Sequence, residues 1–315
     1  MRYHEFKNGD RMPALGLGTW KAAPGEVGQA IEEAVRIGYR HFDCASIYGN
    51  EAEIGDTLQR LFKEGTVERD DLWITSKLWC NRHERGDVEL AIEETLGHLQ
   101  CEYLDLYLVH WPVALKHEVK SVSSGEDFLS LDEVPLSETW SAMEDVCERG
   151  LTRHIGVSNY SASKIAAHAD ARIFPEVNQV EMHPYLSQQG LVDYGSENGV
   201  FTTAYSPLGS KDRPEGMRSG DDPVLLEDET IRKIAERLGA TPAQVLLAWA
   251  LGRGTSAIPK SVNPGRMAEN FAAASLELDA AAMGEINALD RARRYVTGTF
   301  WELPGSGYTV EELWS

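Results

Sequence analysis

Apolar positions along the chain fall into two alternating rhythms. Short apolar runs of strand length occur at residues 15–19 (LGLGT), 39–43 (YRHFD), 72–77 (LWITSK) and 103–110 (YLDLYLVH). They continue at 153–158 (RHIGVS), 176–181 (EVNQVE), 200–205 (VFTTAY) and 255–260 (TSAIPK). Between them, apolar residues return every three or four positions. The sets are Val27, Ala30, Ile31, Ala34 and Val35; Val88, Ile92, Leu96 and Leu99; and Ile231, Ile234, Ala235 and Leu238. That spacing lines each set along one stripe of a helix. Thr241-Pro242-Ala243-Gln244 reads as a helix start, with Thr241 as cap, Pro242 in the first turn and Gln244 closing a capping box.

This alternation predicts about eight βα units, and runs so apolar suit strands covered on both faces. The count points to an α/β fold, a closed (β/α)8 TIM barrel forming one domain over 1–315, with an N-terminal β-hairpin and long loops at the C-terminal face. An open doubly wound sheet is the alternative; the strand count and the lack of a second domain favour the barrel. Three stretches break the rhythm: 113–136, 209–224 and 295–315. Long loops on a compact barrel tend to serve function, and 295–315, rich in glycine and aromatics, is expected to form a substrate loop.

Hydrophobic content is 42% and charged content 25%, enough for a sizeable core. The net charge of −20 argues against a nucleic-acid or anionic-membrane partner. It fits either simple solubility or adaptation to high salt. Cys44, Cys80, Cys101 and Cys147 are scattered, without zinc or disulfide-framework spacing. No apolar run reaches membrane-spanning length, and MRYHEFKNGD lacks the character of a targeting segment, so a cytoplasmic protein is expected.

On such a barrel, residues at strand C-termini converge on one face. Strands two, three and four end at Asp43, Lys77 and His110, and Tyr48 lies in the loop after strand two. These types suit proton donation by a phenol. A phenol is a weak acid, a nearby ammonium favours its phenolate, and a carboxylate can hold that ammonium. A histidine can orient a carbonyl oxygen, so the set would polarise a C=O and protonate the developing alkoxide without a metal. Taken singly, each residue has a plainer role at a strand end or in the core; their joint occurrence favours the chemical one.

The chain resembles the aldo-keto reductase family along nearly its whole length. The resemblance rests on GLGTW (16–20), HFDCASIYGNE (41–51), ITSKLW (74–79), DLYLVHWP (105–112), GVSNY (156–160), NQVEMHPY (178–185), AYSPLGS (204–210) and IPKSVNPGRMAENF (258–271). It implies Tyr48 as general acid, Lys77 lowering its pKa, Asp43 pairing with Lys77, and His110 orienting the carbonyl. No G-x-G-x-x-G opens a helix, so a Rossmann cradle is not expected. The resemblance implies instead an extended NADPH on the barrel mouth. Tyr205 would stack on the nicotinamide, Ser158, Asn159 and Gln179 would hold its carboxamide, and Ser206, Leu208 and Ser210 would line the pyrophosphate. Thr19, Trp20 and Val262 complete the implied cofactor set. Lys260, Ser261 and Arg266, beside a helix start, would grip the 2′-phosphate, and Glu269 and Asn270 the adenine. Asn263 departs from many relatives, which carry a hydroxyl residue there. Asp212 would bridge to Lys21 and Lys260 over the pyrophosphate.

Trp20, Trp79 and Trp111, just past strand ends, and Trp301 in the tail are expected to wall an apolar substrate pocket. Trp73, Trp140 and Trp249 read as core, and Asp105 as a structural acid. The expected activity is NADPH-dependent reduction of aldehydes, and some ketones or aldoses, by a monomer. Two alternatives are a Schiff-base aldolase using Lys77 and a cofactor-binding, redox-sensing barrel with little turnover.

Overall fold

The computed structural model describes residues 1–218 and 222–315. The expected loop 209–224 therefore includes residues 219–221, which lie outside the described residues. The chain opens with an antiparallel hairpin of β1 (Tyr3–Glu5) and β2 (Arg11–Pro13). Then β3 (Leu17–Gly18), α1 (Val27–Ile37), β4 (His41–Asp43), α2 (Glu51–Lys63), β5 (Trp73–Leu78), α3 (Arg85–Leu99) and β6 (Leu104–Val109) alternate. After β6 come a small antiparallel pair, β7 (Ala114–Leu115) with β8 (Phe128–Leu129), and α4 (Leu136–Glu148). The alternation resumes with β9 (Thr152–Ser158), α5 (Ala162–Ala166), β10 (Val177–Glu181), α6 (Gln189–Asn198) and β11 (Phe201–Tyr205). Two helices, α7 (Glu229–Leu238) and α8 (Pro242–Gly252), lead to β12 (Ser256–Ala257). The chain ends with α9 (Pro264–Ala272), α10 (Ala280–Asn287) and α11 (Val310–Trp314).

Eight parallel strands lie in the order β12-β11-β10-β9-β6-β5-β4-β3. The sheet curls until its edges meet: Gly16 N–H donates to Ala257 O at 2.9 Å, Ala257 N–H to Ala14 O at 2.8 Å and Gly18 N–H to Pro259 O at 3.2 Å. Gly18 is needed for this closure, because a Cβ there would meet Ile258 O at 2.8 Å. The expected strands and the barrel are present, hairpin included.

The helical stripes face inward as their periodicity requires. Val27, Ala30, Ile31, Ala34 and Val35 of α1 are all buried, as are Ile231, Ile234 and Ala235 of α7. Thr241 accepts from the Gln244 N–H, and Gln244 returns a bond to the Thr241 N–H, so the capping box at α8 forms. Under the barrel, the hairpin seals the N-terminal end with Phe6 and Met12 against Trp73, Leu106, Leu108 and Val177. Asp105 is structural: its Oδ2 accepts from Ile74 N–H and from Arg69 Nη2, both at 2.8 Å. Trp140 and Trp249 are fully enclosed in the main core, and Trp73 is buried in the lower one. Among the described residues the four cysteines are free thiols, and no helix is long and apolar enough to cross a membrane.

Candidate active site

The C-terminal ends of the strands open into one cavity of about 980 Å³. Asp43, the last residue of β4, and Lys77, near the end of β5, point into the barrel and are buried. Lys77 Nζ donates to Asp43 Oδ2 at 2.7 Å, to Cys44 O at 2.7 Å and towards Tyr48 Oη at 3.5 Å. An ammonium has no lone pair with which to attack, and each of its three N–H bonds here has an acceptor. Lys77 sits behind Tyr48 and does not line the cavity, whereas Asp43, Tyr48 and His110 do. That arrangement is a poor one for a Schiff-base nucleophile. Asp43 is held from its other side by Gln179 Nε2, which donates to Oδ1 at 2.6 Å.

Tyr48 lies on a single 3-10 turn, Ser46–Tyr48, ended by Gly49 at φ 68°. Its ring faces His110 edge-on at 6.0 Å and lies 6.4 Å from Trp20. Burial pushes the phenol well above its ordinary pKa, and Asp43 and Cys44 push it the same way. The expected lowering by Lys77 is therefore not a feature of the resting site. The ammonium is already committed to Asp43 and the Cys44 carbonyl, and burial outweighs what remains. Burial, with Lys77 and His83 adding, holds His110 well below the usual imidazole range, so its ring is neutral. Among the described residues His110 Nδ1 is buried without a partner, which leaves Nε2 as the nitrogen turned to the cavity.

The cofactor-type residues follow the strand ends on the other side. Ser158 Oγ donates to Gln179 O at 2.8 Å, and Asn159 Nδ2 donates to His110 O at 2.9 Å. Tyr205 Oη donates to Asn159 Oδ1 at 2.8 Å. Gln179 gives one N–H of its side-chain amide to Asp43 and itself lines the cavity. Of the seven described non-glycine residues with positive φ, four border the cavity: Lys21 (63°), Asn159 (63°), Ser206 (49°) and Ser210 (44°). Backbone strain of this kind persists only where surroundings hold it, and it gathers at functional sites. Ser206, Leu208 and Ser210 line the cavity after β11, and Lys260, Ser261, Val262, Asn263, Arg266, Glu269 and Asn270 line it after β12. Asn263 caps α9, its Oδ1 accepting from Arg266 N–H at 3.0 Å. Lys21 Nζ pairs with Asp212 Oδ1 at 3.0 Å, while Lys260 reaches Asp212 through charge alone.

Two expected residues stand elsewhere. Thr19 is buried beside the cavity but does not line it, its hydroxyl donating to Asp43 O at 2.8 Å. Trp301 does not line the cavity either. It packs behind Trp79 and Trp111, at 5.9 Å from each, and the tail's contribution to the wall is Val296 and Phe300. Trp20, Trp79 and Trp111 do form wall. Sequence reading missed Ile47, Val296 and Phe300, which sit in segments without a periodic pattern to orient them.

A model of the Aldo/keto reductase family matches residues 14–291. The chain is 51% identical over 315 residues to an aldo/keto reductase of Synechocystis, covering 100% of this chain and 96% of that protein. The chain belongs to the aldo/keto reductase family. It is also 43% identical over 291 residues to the human aldo-keto reductase family 1 member A1, covering 91% of this chain and 89% of that protein. The solved aldose reductase of Schistosoma japonicum matches it with a TM-score of 0.87 at 39% identity, covering 96% of each chain. As an aldo/keto reductase the chain is an oxidoreductase of small carbonyl compounds. Among the described residues of this reductase, no cluster of three or more His, Cys, Asp or Glu is placed to hold a metal.

Proposed function

We propose that the protein reduces aldehydes to alcohols with NADPH and that Tyr48 delivers the proton. One observation carries the reading. The Tyr48 hydroxyl stands on the cavity floor 3.5 Å from Lys77 Nζ, and Lys77 is itself 2.7 Å from Asp43. A buried, protonated phenol is ready to give its proton to a carbonyl oxygen as negative charge develops there. The adjacent ammonium then stabilises the phenolate left behind. Lys77 thus acts on the transition state more than on the resting pKa. Neutral His110 donates from Nε2 to the same carbonyl oxygen and fixes its direction.

The donor set fits NADPH. Gln179, Ser158 and Asn159 converge where Tyr205 offers a flat face, suited to a carboxamide-bearing ring. Lys260 and Arg266, at the start of α9, suit the 2′-phosphate that separates NADPH from NADH. When bound, the reduced nicotinamide supplies the hydride. The surrounding aromatic wall excludes water from the carbonyl.

The wall also supports a substrate preference. Trp20, Ile47, Trp79, Trp111, Val296 and Phe300 are apolar or aromatic. The cations bordering the cavity, Lys21, Lys211, Lys260 and Arg266, come from the loops after β3, β11 and β12 and from the first turn of α9, away from β5 and β6. An apolar, planar aldehyde suits this pocket better than an aldose or a carboxylate-bearing substrate. NADPH consumption with benzaldehyde, a short aliphatic aldehyde, glucose and glucuronate tests it. The expected order places benzaldehyde first. Tight NADPH binding without turnover of any of the four would turn the reading to a redox-sensing barrel.

A further inference from the structure

The wall residue Trp111 and the wall residue Phe300 come from segments almost two hundred positions apart, and one hydroxyl joins those segments. Ala114 and Leu129 face each other directly in the β7–β8 pair. The Tyr308 phenol sits across that pair. Its oxygen accepts from the Ala114 N–H at 3.0 Å and donates to the Leu129 carbonyl at 2.8 Å. Tyr308 is 9% exposed, and burial pushes its phenol up to about 12, so it stays protonated and can do both at neutral pH. Its own N–H is held by Ser306 Oγ at 3.1 Å.

The two segments also touch backbone to backbone. A Cβ on Gly125 would lie 2.2 Å from Pro304 O and 2.7 Å from Ser306 N, so the tail rests directly on the loop after β6. From the latch, a chain of rings runs to the cavity. The Tyr308 ring is 5.7 Å from Phe128, Phe128 is 6.1 Å from Trp301, and Trp301 is 5.9 Å from both Trp79 and Trp111. Behind Trp111, Trp314 approaches edge-on at 5.8 Å and is itself tied to Thr297 O at 2.7 Å.

We infer that the Tyr308 hydroxyl is a latch that makes the loop after β6 and the C-terminal tail one body, and so sets how large a carbonyl substrate the cavity admits. Tyr308 is a positioning residue: it does not line the cavity and acts through Trp111 and Phe300. Ala114 lies three residues beyond Trp111, and Pro112 stiffens the link. Freeing the Ala114 amide lets that segment, and Trp111 with it, move away from the tail. The inference rests on the reductase reading above only for its substrate readout.

The test is Tyr308→Phe, which keeps the ring and removes the hydroxyl, read two ways. Hydrogen exchange reports the latch without any activity: the Ala114 amide should exchange about tenfold faster or more, with β5 and β6 unchanged. Steady-state kinetics report specificity: KM for a bulky aromatic aldehyde should change about fivefold or more relative to a short aliphatic aldehyde, with NADPH affinity retained. Gly125→Ala keeps the hydroxyl but lifts the tail, and should change the same KM ratio. Unchanged Ala114 exchange in Tyr308→Phe would overturn the latch. Faster exchange with an unchanged KM ratio in both variants would overturn its role in specificity. A wild type inactive on every aldehyde would instead sink the reductase reading, and hydrogen exchange alone would then decide the latch.

Discussion

Removing one oxygen atom tests the proposed chemistry most directly. Tyr48→Phe keeps the ring against Trp20 and His110 and deletes only the hydroxyl. That hydroxyl makes one described polar contact, to Lys77 Nζ at 3.5 Å, the outer limit of a hydrogen bond. The folded protein should therefore lose less than about 1 kcal/mol, because Lys77 keeps Asp43 and the Cys44 carbonyl, each at 2.7 Å. The reaction should lose far more. A positioned general acid contributes about 10²–10⁴ in rate, or roughly 3–5 kcal/mol of barrier at ~1.4 kcal/mol per decade. The assay is NADPH oxidation with the best aldehyde, alongside NADPH titration and urea unfolding of both proteins. The expected result is a fall in kcat of at least a hundredfold with cofactor affinity and stability kept. A fall of less than tenfold would place the acid elsewhere. A fall matched by lost stability would make Tyr48 structural. The pH profile supplies a second check. Tyr48 is pushed above its ordinary value, so it keeps its proton as pH rises through the neutral range, and its titration should cost no activity below about pH 9. A loss in that range that disappears in Tyr48→Phe would contradict the burial argument.

Three further outcomes follow from the same geometry. Glu51, the first residue of α2, is buried with Oε1 accepting from Ser76 Oγ at 2.6 Å, and burial raises its carboxyl from 4.5 to about 7. A raised carboxyl pKa weakens the fold progressively as pH climbs from 4.5 to 7; Glu51→Gln, which keeps the Ser76 bond, should gain up to about 3 kcal/mol in urea unfolding at pH 8 and almost nothing near pH 4, and an equal gain at both would refute the titration. Arg266→Ala should weaken NADPH binding about ten- to a hundredfold while leaving NADH nearly unchanged, since a charge-assisted phosphate contact is lost; equal weakening of both would remove Arg266 from the 2′-phosphate. Asp212→Ala breaks the 3.0 Å pair with Lys21 across the cavity and should speed NADPH release several-fold, an effect already weakened by salt because Asp212 is exposed; an unchanged release rate would leave the pair without a role in holding cofactor.

Local patterns determined much of this protein before any fold was in view. The stripes of α1, α3 and α7, the Thr241 capping box and the eight apolar runs are short-range consequences of side-chain spacing. Asp43, Lys77 and His110 were legible as a group because parallel strands of one barrel end on the same face. That rule converts sequence position into spatial neighbourhood without knowledge of any loop. Residues outside periodic segments had no such rule. Whether Trp301 or Phe300 walls the cavity depends on how the tail lands on the loop after β6, through Gly125 and Tyr308. The resting state of Tyr48 likewise depends on the whole packed neighbourhood, since desolvation is a property of everything within several ångströms and not of Lys77 alone. Thr19 shows the same division, its hydroxyl taken by the Asp43 carbonyl of β4, the strand that pairs with β3 in the sheet. Spacing decided which residues share a face; contacts between distant segments decided which of them meet the ligand and in what protonation state.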